Sequence, residues 1–252
     1  MNKKIAIITG GSRGLGKSAA LKLAERGVDV IFTYHSRKAE ADTVVAEIEH
    51  LGGKGVALPL DVGKSAIFAA FAESVKGELE KNWQRTDFDY LVNNAGSGIH
   101  APFAETSEAQ FDLMMNIHLK GVFFLTQYLL PLIADGGRIL NVSSGLTRFS
   151  FPGYAAYATM KGAVEVLTRY LAKELSARGI AVNVIAPGAI ATDFGGGAVR
   201  DNKDLNTFIA SQTALGRVGQ PDDIGGAIAA LLSGDCYWIN AQRIEASGGI
   251  FI

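Results

Sequence analysis

Hydrophobic positions along the chain follow two alternating patterns. Short apolar runs, rich in β-branched residues, are each followed by longer stretches in which apolar residues recur every three to four positions. Runs that are apolar on both faces are typical of parallel strands covered by helices on each side. The short runs predict seven strands, at Lys4–Thr9, Val28–Tyr34, Gly55–Asp61, Tyr90–Asn93, Gly137–Ser143, Ile180–Ala186 and Gln242–Glu245.

The longer stretches predict amphipathic helices between these strands. Ser107 and Gln110 have the spacing of a capping box, which indicates a helix start. The predicted helices are Leu15–Arg26, Lys38–Leu51, Ser65–Lys81, Ser107–Tyr128, Tyr154–Arg178 and Pro221–Leu232.

This alternation of strands and helices predicts an α/β fold, a doubly wound parallel sheet with helices on both faces. The ligand of such a sheet binds at the carboxyl ends of the strands. We find no repeat, low-complexity tract or proline-rich linker, so residues 1–252 are predicted to form a single domain.

Composition and charge narrow the classes of partner. The chain has 252 residues, 48% hydrophobic and 19% charged, which is enough for a large core. A net charge of −1 favours neither nucleic acid nor an anionic membrane. The single cysteine, Cys236, excludes an intrachain disulfide and is predicted to be a buried small apolar residue. With no signal-like or spanning apolar segment, we expect a cytoplasmic protein.

A glycine-rich turn follows the first predicted strand. Residues 9–16 read TGGSRGLG, with Gly10, Gly14 and Gly16 at the positions where strand gives way to helix. Glycine permits positive φ and lets backbone approach a pyrophosphate at the positive end of the next helix. An ordinary glycine-rich turn is the alternative, but the flanking strand and helix favour dinucleotide binding.

The end of the second strand bears on which cofactor binds. NAD-binding sites usually place an acidic residue there, for the ribose hydroxyls. Here the strand ends in residues 34–38, YHSRK, without an acid, and Arg13, Ser36 and Arg37 are suited to a 2′-phosphate. A solvated helix start is the alternative interpretation of Arg37. We therefore expect NADP(H), with NAD(H) as the alternative.

Tyr157 and Lys161 are candidates for acid/base chemistry. Positions i and i+4 lie on one face of a helix, so the phenol is predicted to lie beside the ammonium. A neighbouring cation lowers the pKa of a phenol and eases proton exchange near neutral pH. Ser144 follows the fifth strand, thirteen positions before Tyr157, and Asn116 is an unusual polar choice within a helix.

In this order, these motifs resemble those of the short-chain dehydrogenase/reductase family over essentially the whole chain. Within that family, the chain looks most similar to the 3-oxoacyl-[acyl-carrier-protein] reductase group. The resemblance implies a Rossmann-type sheet of seven strands and a homotetramer. It also implies a catalytic tetrad, which falls here on Asn116, Ser144, Tyr157 and Lys161.

The resemblance also implies a role for each of these residues. Tyr157 exchanges the proton with the substrate oxygen, and Ser144 donates a hydrogen bond to that oxygen. Lys161 binds the nicotinamide ribose and lowers the pKa of the phenol, and Asn116 holds a water that links Lys161 to solvent. The expected cofactor-binding residues are Gly10, Ser12, Arg13, Gly14, Leu15, Gly16, Ser36, Arg37, Asp61, Val62, Asn94, Ala95, Gly96, Tyr157, Lys161, Pro187, Gly188, Ile190 and Thr192.

Substrate, loops and alternatives stay open at this level. Residues 193–206 contain three consecutive glycines and are interpreted as a mobile lid or an ungated surface loop. No function is assigned to residues 78–89, and no metal is expected. Besides a carbonyl reductase, two alternatives remain, an NAD-dependent dehydrogenase of a sugar, polyol or steroid alcohol and a non-catalytic nucleotide-binding protein. Five residues flanking the tetrad are candidates for an apolar substrate pocket, Leu146, Phe149, Phe151, Tyr154 and Phe194.

Overall fold

The computed structural model describes residues 3–252, which contain one seven-stranded, all-parallel sheet. The strands are ordered β3-β2-β1-β4-β5-β6-β7, so the chain turns back at β1 and β4, as in Rossmann-type sheets. The predicted fold class is confirmed. The strands are β1 Ile5–Ile8, β2 Asp29–Tyr34, β3 Gly55–Pro59, β4 Phe88–Asn93, β5 Ile133–Val142, β6 Ala181–Pro187 and β7 Arg243–Ala246.

Helices connect successive strands and cover both faces of the sheet. The capping box at Ser107 and Gln110 is present at the start of α4, as predicted. The α-helices are α1 Gly14–Ala24, α2 Lys38–His50, α3 Phe68–Trp83, α4 Glu108–Met115, α5 Gly121–Leu129, α6 Ala155–Glu174, α7 Ala198–Asp201, α8 Lys203–Ser211 and α9 Pro221–Ser233.

The core consists of two layers, one on each side of the sheet. Successive residues of a strand point to opposite faces, so Ile8 packs beneath α1, α2 and α9 while Ile7 packs beneath α3 and α5. Both isoleucines are fully buried. This burial explains why the strands are apolar on both faces.

The predicted helix over 107–128 is divided in the structure. A π-helical turn, Asn116–Lys120, separates α4 from α5. A π turn accommodates one more residue than an α turn and is frequent at functional sites. Within this turn His118 is buried, whereas Asn116 is half-buried.

Residues 78–89, to which the sequence assigned no function, support the amino edge of the sheet. The Trp83 indole donates a hydrogen bond of 2.8 Å to Asp29 at the start of β2. Arg85 donates one of the same length to Asp89 in β4. This segment therefore provides hydrogen-bond donors for two buried carboxylates.

One smaller expectation changes in the structure. Cys236 is half-buried rather than buried. Ala241 has a φ of 60°, in the left-handed region that favours glycine. No helix among residues 3–252 is long and apolar enough to cross a membrane.

Candidate functional site

A cavity of about 600 Å³ opens at the carboxyl edge of the sheet, beside the point where β1 and β4 diverge. It extends from the exposed Ser36 and Arg37 to the buried Tyr157 and Lys161. The other predicted site residues on its wall are Gly10, Ser12, Arg13, Gly14, Leu15, Asp61, Val62, Asn94, Ala95, Gly96, Ser144, Pro187, Gly188, Ile190 and Thr192. Gly16 and Asn116 are the two predicted residues that do not line it.

Gly16 lies beneath the glycine-rich turn and has a packing role. A side chain there would begin 2.5 Å from the side-chain amide nitrogen of Asn94 and would also collide with the Gly10 carbonyl. The side-chain amide of Asn94 donates hydrogen bonds to the carbonyls of Thr9 and Gly10, at 2.9 and 3.1 Å. Gly14 has a φ of 55°, which glycine adopts readily. These contacts hold an open backbone loop at the start of α1.

The outer end of the cavity carries the residues suited to a phosphate. No acidic residue follows β2 before α2, and Arg13 and Arg37 are both about half exposed. Arg13 pairs with Asp193 at 2.9 Å, and Arg37 pairs with Glu40 at 2.7 Å. Exposed ion pairs contribute little stability, so both guanidinium groups remain available to another anion.

The inner end contains the predicted acid/base pair on α6. Tyr157 and Lys161 are 7% and 4% exposed, and the Lys161 ammonium lies 5.6 Å from the centre of the phenol ring. Lys161 Nζ donates a hydrogen bond of 2.6 Å to the carbonyl of Val142. Burial lowers the pKa of Lys161 to about 8 because it disfavours the charged form.

Tyr157 differs from the expectation that its neighbouring cation would lower its pKa. Burial raises the pKa of the phenol above its ordinary value, and a hydrogen bond with Ser144 opposes that increase. Burial is the larger of the two effects. At neutral pH the phenol therefore keeps its proton.

The structure distinguishes the two adjacent serines after β5. Ser143 is buried and donates a hydrogen bond of 2.6 Å to Glu165, which is also bound by Arg243 at 2.9 Å. Ser144 lines the cavity and carries the hydroxyl that interacts with Tyr157. Of the two, Ser144 is therefore the serine available to a substrate oxygen.

Asn116 does not join this group, whereas His118 does. Both lie in the π turn, but His118 lines the cavity and packs edge-on against Tyr157, with ring centres 4.9 Å apart. His118 is a cavity residue that was not predicted from the sequence. A polar residue between Ile117 and Leu119, within a predicted helix, is the signal that could have identified it.

Aromatic residues enclose the inner end of the cavity, and all five predicted candidates line it. Phe194 packs against Tyr157 with ring centres 5.5 Å apart, and Phe149 packs against Phe251 at 4.9 Å. The chain terminus was not predicted to contribute to this wall. Arg148 does not line the cavity and binds Glu245 at 2.7 Å.

The segment after Thr192 is ordered into short helices rather than an extended loop. Gly195, Gly196 and Gly197 all have positive φ, between 61° and 80°, and lead into α7 and α8. Asp193 anchors the segment by binding Arg13 and Arg200. Residues 3–252 contain no group of three or more His, Cys, Asp or Glu side chains that could hold a metal ion.

Known proteins resemble this chain over nearly its whole length. A family model described as enoyl-(acyl carrier protein) reductase matches residues 10–250. An oxidoreductase of Methylorubrum extorquens is 36% identical over 247 residues, which cover 98% of this chain and 97% of that protein. The tetrahydroxynaphthalene reductase PfmaG of Pestalotiopsis fici is 35% identical over 257 residues, which cover 98% of this chain and 91% of PfmaG.

Solved structures superpose closely on the fold. The promiscuous reductase LugOII, which catalyses keto-reduction at C1 during lugdunomycin biosynthesis, has a TM-score of 0.94 and 35% identity, covering 100% of this chain and 99% of its own. The angucycline C-6 ketoreductase LanV with bound NADP has a TM-score of 0.93 and 35% identity, covering 98% and 95%. These matches confirm the resemblance found in the motifs, and the chain belongs to the short-chain dehydrogenase/reductase family of oxidoreductases.

Proposed function

We propose that this protein is an NADP(H)-dependent reductase of ketones, with Tyr157 as the proton donor. The observation that carries the proposal is the convergence of Tyr157, Ser144 and Lys161 at the inner end of the cavity. The glycine turn and Arg13 lie on the wall of the same cavity. One site thus contains groups suited to a dinucleotide and groups suited to a carbonyl oxygen.

The cavity fits the phosphorylated cofactor. The open backbone at Gly10 and Gly14 suits a pyrophosphate, and Arg13, Ser36 and Arg37 suit a 2′-phosphate, which an acidic residue after β2 would repel. LanV contains bound NADP in its solved structure, which supports the same choice here. When bound, the cofactor supplies the hydride.

The chain's own residues handle the proton. Tyr157 remains protonated at neutral pH because burial raises its pKa, so it is ready to donate to a carbonyl oxygen. Ser144 donates a hydrogen bond to the same oxygen and stabilises the charge that develops there. The buried Lys161 ammonium stabilises the phenolate that Tyr157 becomes.

The walls of the inner cavity favour a flat aromatic ketone as substrate. Phe149, Phe151, Tyr154 and Phe194 line it, and aromatic rings pack well against one another. PfmaG is a tetrahydroxynaphthalene reductase, and a second LanV structure contains NADP with rabelomycin. We therefore include aromatic and partly reduced aromatic ketones in the proposed substrate class.

The test combines a substrate panel with one variant. The wild-type protein should oxidise NADPH faster than NADH, and should turn over a bicyclic aromatic ketone at a higher kcat/KM than an aliphatic β-ketoester or a β-ketoacyl thioester. Tyr157→Phe should lose about a thousandfold in kcat while its Kd for NADPH changes little. Tyr237→Phe, at an exposed tyrosine that does not line the cavity, should match the wild type.

Several outcomes would contradict the proposal. An unaltered kcat in Tyr157→Phe would remove the tyrosine from the mechanism. Faster oxidation of a sugar, polyol or steroid alcohol with NAD would support the alternative dehydrogenase. Cofactor binding without turnover of any panel member would support a nucleotide-binding protein.

We also propose that the protein is a cytoplasmic homotetramer. Exposed apolar residues on α5 and α6 include Phe123, Tyr128 and Tyr170, which are 44%, 43% and 64% exposed. Burial of these side chains against other copies would remove apolar surface from water.

The proposed cytoplasmic location rests on a different observation, because the single cysteine fits a reducing compartment. The assembly is tested by its mass. Sedimentation at a tetramer's mass is expected, and a monomer would contradict the assembly.

A further inference from the structure

The segment that follows β7 forms part of the aromatic wall of the cavity. Ile250 and Phe251 line the cavity, and the Phe251 ring packs against that of Phe149 with ring centres 4.9 Å apart. Phe251 has a φ of 51°, in the left-handed region that favours glycine. Such a backbone conformation persists only where the surrounding contacts hold it. The contacts of Phe251 therefore determine where this part of the wall lies.

Arg148 supplies several of these contacts, although it does not line the cavity. Its Nη1 donates a hydrogen bond of 3.2 Å to the carbonyl of Phe251, and its Nη2 donates one of 2.5 Å to the carbonyl of Ile250. The guanidinium also lies 5.4 Å from the centre of the Phe149 ring. Arg148 thus interacts with both aromatic residues of the pair without being part of the wall itself.

Glu245 in β7 fixes the guanidinium in this position. Arg148 donates to the two carboxylate oxygens of Glu245 from Nε at 2.9 Å and from Nη2 at 2.7 Å, which is the bidentate geometry of a planar guanidinium. Arg243 and Ser247 donate to the same carboxylate, at 2.7 and 2.8 Å. Burial by itself would raise the pKa of Glu245, but these donors lower it to about 2, so the carboxylate stays charged at neutral pH.

We propose that Arg148 is a positioning residue that sets the substrate specificity of this reductase by holding Phe149 and Phe251 in the cavity wall. Without the guanidinium, the backbone at Ile250 and Phe251 loses two hydrogen bonds and the ring pair loses its fixed position. A flat aromatic ketone that packs against these rings then binds more weakly, whereas a small ketone that does not reach them is unaffected. The inference rests on the proposed function, since it concerns the substrate class of the same site.

Arg148→Met tests this role by removing the guanidinium and keeping an apolar side chain. Glu245 retains Arg243 and Ser247 as donors in this variant, so its charge is not left without a partner. The KM of a bicyclic aromatic ketone should rise about tenfold with kcat within about twofold of the wild type, because a contact with the wall is lost equally from the bound substrate and the transition state. The kcat/KM for an aliphatic β-ketoester and the Kd for NADPH should both stay within about twofold.

Arg178→Met is the matched control. The side chains of Arg178 and Arg148 are both 35% exposed. Arg178 likewise binds one carboxylate, that of Asp135, and two backbone carbonyls, those of Leu130 and Ile133. These contacts lie at the start of β5, at the amino edge of the sheet. A general loss of stability would appear in both variants, whereas the rise in KM should appear in Arg148→Met alone. An equal rise in Arg178→Met would overturn the proposal.

Phe251→Ala decides whether Arg148 acts through the wall. This variant should lose selectivity for the bicyclic ketone in the same way, and adding Arg148→Met to it should change the KM by no more than about twofold, because residues that act as one unit are not additive. Additive losses, or a wild-type KM in Arg148→Met, would overturn the proposal. Should Arg148→Met fail to fold, Arg148→Gln is judged by the same criteria.

Hydrogen exchange tests the same contacts without turnover. The Phe251 amide donates a hydrogen bond of 2.9 Å to the carbonyl of Gln212, which should protect it in the wild type. Its exchange should be about tenfold faster in Arg148→Met and unchanged in Arg178→Met, and wild-type exchange in both variants would overturn the proposal. Activity that persists in Tyr157→Phe counts against the proposed function, and the exchange result still decides on Arg148. A wild-type KM in Arg148→Met, beside an inactive Tyr157→Phe, refutes only the role of Arg148.

Discussion

The two edges of the sheet both contain buried polar groups, but hydrogen bonds satisfy these groups more fully at the amino edge than at the carboxyl edge. At the amino edge, Asp29 and Asp89 are 3% exposed and are satisfied by several donors. At the carboxyl edge, Tyr157, Lys161 and His118 are comparably buried, yet burial is the main cause of their pKa shifts.

The hydrogen bonds of Asp89 determine the direction of its pKa shift. Its carboxylate accepts hydrogen bonds from Lys4 at 2.7 Å, from the Ile5 amide at 2.9 Å and from Arg85 at 2.8 Å. Together these donors hold the pKa of Asp89 below its ordinary value although burial alone would raise it. The amino edge thus stabilises the charged form that the carboxyl edge destabilises.

The comparison shows where this fold contains buried polar groups that destabilise it because their hydrogen bonds are incomplete. Incompletely satisfied groups lie at the cavity, where a substrate, a cofactor or water can complete them. Satisfied groups lie at the opposite edge, where nothing needs to bind. Changes at the amino edge should therefore reduce stability, whereas changes at the carboxyl edge should reduce activity.

The largest expected effect on stability comes from breaking the amino edge at Asp89. Asp89→Ala leaves the Ile5 amide without its acceptor and removes one of the two carboxylates that bind the mostly buried Arg85, which should lower the free energy of unfolding by about 3 kcal/mol with kcat unchanged. Denaturant unfolding measures the loss. Asp135→Ala, which removes an exposed pair with Arg178, should change the free energy of unfolding by about 0.5 kcal/mol or less. Equal losses in the two variants would contradict the comparison.

Trp83→Phe tests one hydrogen bond of the same edge. It removes the indole N–H that binds Asp29 but keeps an aromatic ring, so the free energy of unfolding should fall by about 1.5 kcal/mol. Trp238→Phe is the matched control, because Trp238 is 98% exposed. A loss no larger than that of the control would show that the remaining donors to Asp29 suffice.

At the carboxyl edge, the titration of Lys161 should determine the pH dependence of kcat. Burial lowers the pKa of Lys161 to about 8, so the ammonium is lost as the pH rises above that value. Ketone reduction should slow above pH 8 by up to about tenfold per pH unit, while Tyr157 stays protonated. In Lys161→Arg the decline should disappear, since a guanidinium stays charged. A flat wild-type profile to pH 10 would exclude Lys161 as the titrating group.

The smallest expected effect is at the rim of the cavity. Asp193 competes with an incoming phosphate for Arg13, so Asp193→Asn should lower the Kd for NADPH about threefold and leave NADH binding unchanged. Isothermal titration with both cofactors measures the difference. Asp201→Asn, whose carboxylate binds Arg200 rather than Arg13, is the control. An equal change for both cofactors would mean that Asp193 does not sense the 2′-phosphate.

Local patterns in the amino-acid sequence determined much of this protein. Apolar runs and helical periodicity predicted all seven strands and the fold class, and the glycine spacing predicted the turn on the cavity wall. The four-residue spacing of Tyr157 and Lys161 placed both on one helical face. Each of these features depends on neighbours within a few residues, so the sequence by itself was sufficient.

Only the tertiary structure decided the remaining features. The resemblance implied that Asn116 belongs to the catalytic tetrad, but within the π turn Asn116–Lys120 it is His118 that lines the cavity. The closing of the cavity by Phe251 likewise depends on a contact with Phe149, far away in the sequence. Burial also reversed the expected pKa shift of Tyr157. These outcomes depend on which distant segments pack together and exclude water, and no local pattern contains that information.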